Sequence, residues 1–387
     1  MNPAIARRIP LVCRPKPPGL PLDRRIAELT ALTVETPGGD HPQRVARACG
    51  VLNFAALIAS DSGMPDLAAK LCWRQYKIFT EAGNLTQDIA VMSLMPLVNI
   101  ARLLIREGDG GGAFAVLQRL YRAAQQRGTT VIRDHDVDLS PLIQTAADHR
   151  KICTELWVTL LVDGARALAG LGRWTEAAES MAAHRGVGQR LLDGRQITIM
   201  SLVEQNLPQQ AADMIDASIP AEPWENAVAA ILRIYCRPPT STTSQNTLDP
   251  AVREVLALIA DPEPTTAAFR VRLSLTALDL TADRPTAHDS DLRSAVIGVA
   301  CSDAYAARDV LGHHGVRSRL TSQQEQQVAD VLAASGLGAG SLPAAHLDTL
   351  TTAVRQGEDS LRAMLGTQAS VTAHGRSEPD ARRRSAR

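Results

Sequence analysis

Residues Leu161 to Ala183 and Arg195 to Ala217 can be laid over one another so that Ala177-Ala178 falls on Ala211-Ala212, an offset of 34 residues. A recurrence at that interval is the mark of one supersecondary unit repeated, because a pair of helices leaves an apolar face that it buries against the next pair. Small residues belong where the two helices of a pair cross, since only they let the backbones approach. The two Ala pairs mark such crossings. An all-α chain built from antiparallel helix pairs is therefore expected. Composition agrees: Ala, Leu and Arg are the commonest residues, and runs of alternating β-branched or aromatic residues are almost absent. Aromatics make up only 3% of the chain, and ten of the twelve lie between Phe54 and Tyr235, which places the best-packed core there.

The clearest copy runs from Gly164 to Ala178 and reads Gly-Ala-Arg-Ala-Leu-Ala-Gly-Leu-Gly-Arg-Trp-Thr-Glu-Ala-Ala. Gly172 can take the left-handed conformation that ends a helix, Trp174 can cover the top of the pair, and Ala177 opens the second helix. The next copy has Asn206 at the Gly position and Pro208 at the aromatic one, with Pro223 at the boundary that follows. Asn tolerates the left-handed cap, and Pro suits a first helical turn. Two upstream segments fit the same frame when spacers vary. Leu52 to Ala59 leads to Gly63, Pro65, Ala68 and Tyr76, and Val98 to Leu104 leads to Gly108, Ala113, Phe114 and Tyr121. Ala68, Ala113, Ala177 and Ala211 thus mark four second helices.

This pattern resembles the tetratricopeptide repeat, and the chain is similar to the repeat portions of actinobacterial regulators and adaptors that lack an attached DNA-binding or catalytic domain. The resemblance covers about half of the chain. It implies a solenoid of helix pairs that binds a protein or peptide segment along a concave face lined by the first helix of each pair. The register carried through the Gly landmarks puts Arg102 and Arg166 at one position, with Asn53, Asn99, Asp163 and Gln196 close to the same face. Two Arg side chains one repeat apart can hold a carboxylate or an acidic peptide by charge-assisted bonds. The set departs from the Lys/Asn clamp of some family members, so it implies no specific C-terminal ligand. The alternative functions are a sensor for a small peptide or metabolite and an enzyme without a recognisable motif.

Five segments follow from the composition. Residues 1–40 read as a Pro-rich basic arm with one short helix, Asp23 to Leu32. Residues 41–236 carry the repeats, interrupted by a polar turn from Arg127 to Ser140, and residues 237–250 read as a linker with nothing to bury. Residues 251–366 are a C-terminal helical region of degenerate repeats or a cap, in which Ser302 to Leu311 resembles a second helix without its Gly. Residues 367–387 are a basic tail expected to be disordered.

Chemical motifs are missing. There is no Gly-x-Ser-x-Gly, no His-Glu-x-x-His and no P-loop, and Gly108 to Gly112 follows a helix and lacks a Lys, so it reads as a loose turn. Arg133-Asp134-His135-Asp136-Val137-Asp138 has oxygen and nitrogen donors without the spacing of a Ca loop, and His313-His314 reads as a helix-end turn. Neither cofactor nor metal is implied. The six cysteines form no Cys-x-x-Cys pair, and Cys49, Cys72 and Cys153 sit in apolar helical surroundings as small hydrophobes. The formal net charge is zero, which gives no global attraction for nucleic acid or an anionic membrane. No continuous apolar run approaches the length that spans a bilayer, and prolines break the basic start, so a cytoplasmic location is expected.

Overall fold

A computed structural model describes residues 2–34, 38–83, 85–237 and 245–374, with side chains described at 246–366 in the last stretch. The described residues are mostly helical, with a single short β-hairpin among them. They form two compact units, each assembled from three separate stretches of chain. Unit 1 comprises Met1–Arg25, Leu104–Gln118 and Leu156–Gly340, and unit 2 comprises Ile26–Leu103, Arg119–Glu155 and Ser341–Arg387.

The four landmarks read in the sequence share one backbone geometry. Gly63, Gly108, Gly172 and Asn206 have φ of 77°, 88°, 76° and 60°. In each case the left-handed residue donates its N–H to the carbonyl three residues back, and the next residue donates to the carbonyl five back. The latter bonds are Met64 to Ala59 (2.9 Å), Asp109 to Leu104 (2.9 Å), Arg173 to Leu168 (3.1 Å) and Leu207 to Leu202 (2.8 Å). This is the Schellman ending, which satisfies the last carbonyls of the first helix. The second helix starts two residues after each landmark, at Pro65, Gly110, Trp174 and Pro208. Ala68, Ala113, Ala177 and Ala211, each five residues after its landmark, are all 0% exposed. Gly110 to Gly112 are thus the first turn of the Gly110–Gln126 helix, where a loose turn was expected; Asp109 caps it by accepting the Gly112 N–H at 2.7 Å.

Unit 1 is a succession of helices in which each packs on the next: Trp174–Ala183, Asp193–Glu204, Pro208–Asp216, Pro223–Tyr235, Gln245–Ile259, Ala267–Leu280, Asp289–Ala300 and Ala304–Leu311. From Pro223 onward they also touch the next but one. The Asp289–Ala300 and Ala304–Leu311 pair keeps the register without a left-handed residue. Asp303 caps the second helix by accepting the Ala306 N–H at 2.9 Å, and Ala307 is 0% exposed. The helix entering Trp174 widens into a π turn over Leu160–Gly164 before Ala165–Gly170. Its core is continuous from Ile5 through Trp174, Ile197, Val228, Val271 and Val296 to Val328.

Two boundaries differ from expectation. Residues expected to form an arm supply Ile5, Ala6, Ile9, Leu11 and Val12 to the core of unit 1, because the apolar residues between the prolines find a place against its helices. The expected linker is helical from Gln245, with Pro250 within the Gln245–Ile259 helix and Leu248, Ala251 and Val252 buried; positions 238–244 of that segment lie outside the described residues. The C-terminal Ala344–His374 helix extends past the expected tail boundary, and positions 375–387 lie outside the described residues.

In unit 2 the Ala344–His374 helix packs on His41–Asp61 and Pro65–Ala82. The expected polar turn is instead a hairpin, Thr129–Ile132 with His135–Asp138, closed by Arg133 and Asp134 at φ 44° and 62°. Two positive φ values in a two-residue loop are what the right-handed twist of a hairpin requires. Ile132 and Val137 are buried, and His135 stacks on Trp73 with ring centroids 4.0 Å apart. Gln87–Arg106 is long and apolar enough to cross a membrane by composition, with mean hydropathy 1.7. It is broken near Ser93 and is mostly buried in the fold. Cys49, Cys72 and Cys236 are buried, which pushes their thiols up to about 12, whereas Cys301 is exposed.

Candidate functional site

The helices of unit 1 hold a segment of their own chain. Residues 9–20 cross them without helix or strand, because Pro10, Pro15, Pro17 and Pro18 remove N–H donors and bias the preceding residues to extended backbone. Gln196, on the Asp193–Glu204 helix and 0% exposed, grips Leu11 from both sides. Its Oε1 accepts the Leu11 N–H at 2.7 Å, and its Nε2 donates to the Leu11 carbonyl at 2.7 Å and to the Leu191 carbonyl at 2.7 Å. A carboxamide pairs with a peptide group in this way whatever side chain the peptide carries. Further along, Lys16 donates its N–H to the Thr265 carbonyl at 3.0 Å, Gly19 donates to Asp303 Oδ2 at 2.7 Å, and Ala304 donates to the Gly19 carbonyl at 2.9 Å. A Cβ on Gly19 would lie 2.7 Å from the Ala304 nitrogen, so only glycine makes that approach.

Charged groups lie along the same segment. Asp193 is buried at the start of its helix, where a carboxylate suits the positive end of the dipole. It forms a two-pronged ion pair with Arg14 and lies 3.6 Å from Arg166 Nε. Arg166 also reaches the Pro10 carbonyl at 3.4 Å. The Lys16 ammonium sits 3.4 Å from the centroid of the Tyr305 ring, whose other cationic neighbour, Arg308, is 5.8 Å away. Burial, aided by Arg272, lowers Lys16 to about 8. Arg272 pairs with Asp309 at 2.9 Å and Arg308 with the same carboxylate at 3.4 Å. Beside the segment, Pro18, Leu20, Ile259, Ala267, Gly298 and Val299 line an open, largely apolar cavity of about 560 Å³.

The six residues expected on one face divide between the units. Arg166 and Gln196 both touch residues 9–20, the strap, in unit 1, while Asp163 lies in the π turn one helical turn before Arg166. Gln196 presents nothing to solvent, because its whole amide is engaged with backbone. In unit 2, Asn99 donates to Asn53 Oδ1 at 3.2 Å, and Arg102 donates to Asn99 Oδ1 at 3.3 Å. These three form a polar ladder, with Arg102 exposed at its end. Sequence reasoning missed Leu11, Arg14, Lys16, Asp193, Arg272, Tyr305 and Arg308. The available signal was apolar residues recurring within the Pro-rich start, which an arm without contacts has no use for. Among the described residues no group of three or more His, Cys, Asp or Glu side chains is placed to hold a metal ion. Comparison with family models, curated proteins and solved structures finds no match for this chain.

Proposed function

We propose that the protein is a tetratricopeptide-like helical-repeat scaffold that binds a segment of another protein and carries out no chemistry of its own. Support for the repeat comes from the four helix junctions that share a left-handed ending, a helix start two residues later and a fully buried Ala at the fifth. The observation that carries the binding reading is the strap: unit 1 already holds a Pro-rich, non-helical segment by its backbone, through Gln196. A helical surface that accepts an extended segment in cis is of the kind that accepts one in trans. The strap itself stays in place, because Ile5, Ile9, Leu11 and Val12 are each buried at roughly 1.5–3 kcal/mol of apolar transfer. A partner therefore docks beside it. Arg166 in unit 1 and the Asn53, Asn99 and Arg102 ladder in unit 2 remain the groups we assign to partner contact.

The test is to purify whatever stoichiometric partner the intact protein retains and to measure its affinity for wild type and for Arg102→Glu with Arg166→Glu. Weaker, less salt-dependent binding by a folded variant is expected. Failure to recover any stoichiometric partner would remove the reading. A second reading, a small-molecule sensor, is favoured by the 560 Å³ cavity. A metabolite that raises the melting temperature by mass action would select it.

A further inference from the structure

Around the strap, the carboxylates are placed inside and the cations outside. Asp193 and Asp309 side chains are 4% and 17% exposed, whereas Arg166, Arg14, Arg272 and Arg308 are 32%, 37%, 40% and 48% exposed. Each of these two carboxylates holds two guanidinium groups that stay partly exposed. Asp303 is withdrawn further, since both of its oxygens accept backbone N–H bonds, from Gly19 and Ala306. Lys16 adds an ammonium that rests on the Tyr305 ring and forms no ion pair among the described residues. Five cations, Arg14, Lys16, Arg166, Arg272 and Arg308, thus interact with four carboxylates, Asp163, Asp193, Asp303 and Asp309, leaving a surplus of one positive charge.

We infer that this row, with Lys16, Arg272 and Arg308 at its centre, is the surface on which the partner docks, and that the docking segment is acidic. The inference rests on the scaffold reading and names the chemistry of its partner. Three features favour an acidic peptide over nucleic acid. The surplus is a single charge, whereas a phosphate backbone rewards many. The ring that could stack a base is covered by Lys16. Arg14 and Arg272 lie within electrostatic reach of Arg166, Arg272 and Arg308 lie within reach of Lys16, and a guanidinium group can bind a carboxylate two-pronged.

A pH signature accompanies this surface. The groups facing Lys16 are Arg272 on the Ala267–Leu280 helix, Asp303 at the cap of the next pair, and Tyr305, Arg308 and Asp309 on the Ala304–Leu311 helix. Because burial and the two Arg hold Lys16 at about 8, an arriving carboxylate raises its affinity for protons. Docking therefore takes up protons near pH 8 and weakens as pH rises toward 10.

The experiment uses the intact protein and a fluorescein-labelled, Glu-rich peptide of about ten residues, read by polarisation at low and high salt, with neutral and Lys-rich peptides of equal length and a single-stranded oligothymidine as the other arms. Expected are binding of the Glu-rich peptide alone, its loss on adding salt, and an affinity loss of about tenfold in Lys16→Gln with Arg308→Gln. Arg119→Gln with Arg122→Gln removes the same charge from exposed positions elsewhere and should leave binding unchanged. Calorimetry in buffers of different ionisation enthalpy should report proton uptake near pH 8 that Lys16→Gln abolishes. If the Lys16→Gln and Arg308→Gln pair unfolds, Arg308→Gln alone, at a half-exposed position, serves in its place. Tighter binding of the oligonucleotide, equal binding of the neutral peptide, or equal losses in both double variants would overturn the inference. A purified partner that binds undiminished to the Lys16→Gln and Arg308→Gln variant would overturn it while leaving the scaffold reading intact.

Discussion

Replacing Gln196 by Ala removes one side chain that is 0% exposed and three hydrogen bonds of 2.7 Å each. The backbone groups left behind are the Leu11 N–H, the Leu11 carbonyl and the Leu191 carbonyl. Leu11 and Leu191 are 2% and 1% exposed, so water does not replace the amide without opening the core. An orphaned buried polar group costs about 1–3 kcal/mol, so three of them set a loss of about 3–9 kcal/mol for a variant that otherwise keeps its contacts. Gln196→Glu sharpens the argument. One carboxylate oxygen can still accept from Leu11, but the other then faces two carbonyl oxygens in the position where Nε2 donates. The assay is urea unfolding together with amide exchange at Leu11 and Val12. Exchange should rise at both positions, and Gln209→Ala, which removes an exposed 2.8 Å bond to Asp213, should cost less than about 1 kcal/mol. A Gln196→Ala protein within about 1 kcal/mol of wild type, with the Leu11 amide still protected, would refute the clamp.

Other consequences follow from the same geometry. Ala177→Leu should overpack the crossing and cost about 1–3 kcal/mol in urea melts, whereas Glu176→Leu, half-exposed and paired with Arg173, should stay within about 0.5 kcal/mol; equal costs would contradict the shared register. Asn206→Ala places a Cβ-bearing residue without a helpful side chain at φ 60° and should cost about 1 kcal/mol, while Asn206→Gly should be neutral or stabilising. Lys16 is held below its unfolded value, so the unfolded chain binds the extra proton between about pH 8 and 10.5, and stability should rise with pH across that window. Lys16→Met should remove that rise. Glu225 is lowered against the pull of its burial by bonds from Arg190, Ala221 and Leu191, so its contribution is present above the ordinary carboxylate range and is lost as pH falls through its folded value. Glu225→Gln should flatten the acid limb of the stability curve.

Local signals were legible in the sequence where one residue type answers one backbone demand. Gly172 and Asn206 could be assigned left-handed caps because few residues tolerate that conformation, and Ala177 and Ala211 could be assigned to crossings because few fit there. The same logic failed for Arg133-Asp134, a hairpin turn without the Asn or Gly that usually marks one. The tertiary route of the first 20 residues was hidden for a different reason. Proline told that they form no helix, but nothing local says that Gln196, 185 positions away, is buried against Leu11. Charge was hidden likewise: a formal total of zero conceals a row in which carboxylates lie beneath and guanidinium groups lie above. The six residues chosen for one face were chosen by register alone. Arg166 and Gln196 meet the strap and Asn53, Asn99 and Arg102 meet one another, because positions equivalent in a repeat take whatever neighbour their own unit supplies.

The scaffold account is tested most directly by selecting a random, phage-displayed peptide library on the intact, immobilised protein and sequencing what is retained. The account predicts enrichment of peptides with recurring acidic positions, binding that is monovalent and reversible, and loss of that enrichment on protein carrying Arg102→Glu with Arg166→Glu. A retained pool indistinguishable from the input library, on protein whose melting curve is intact, would contradict it.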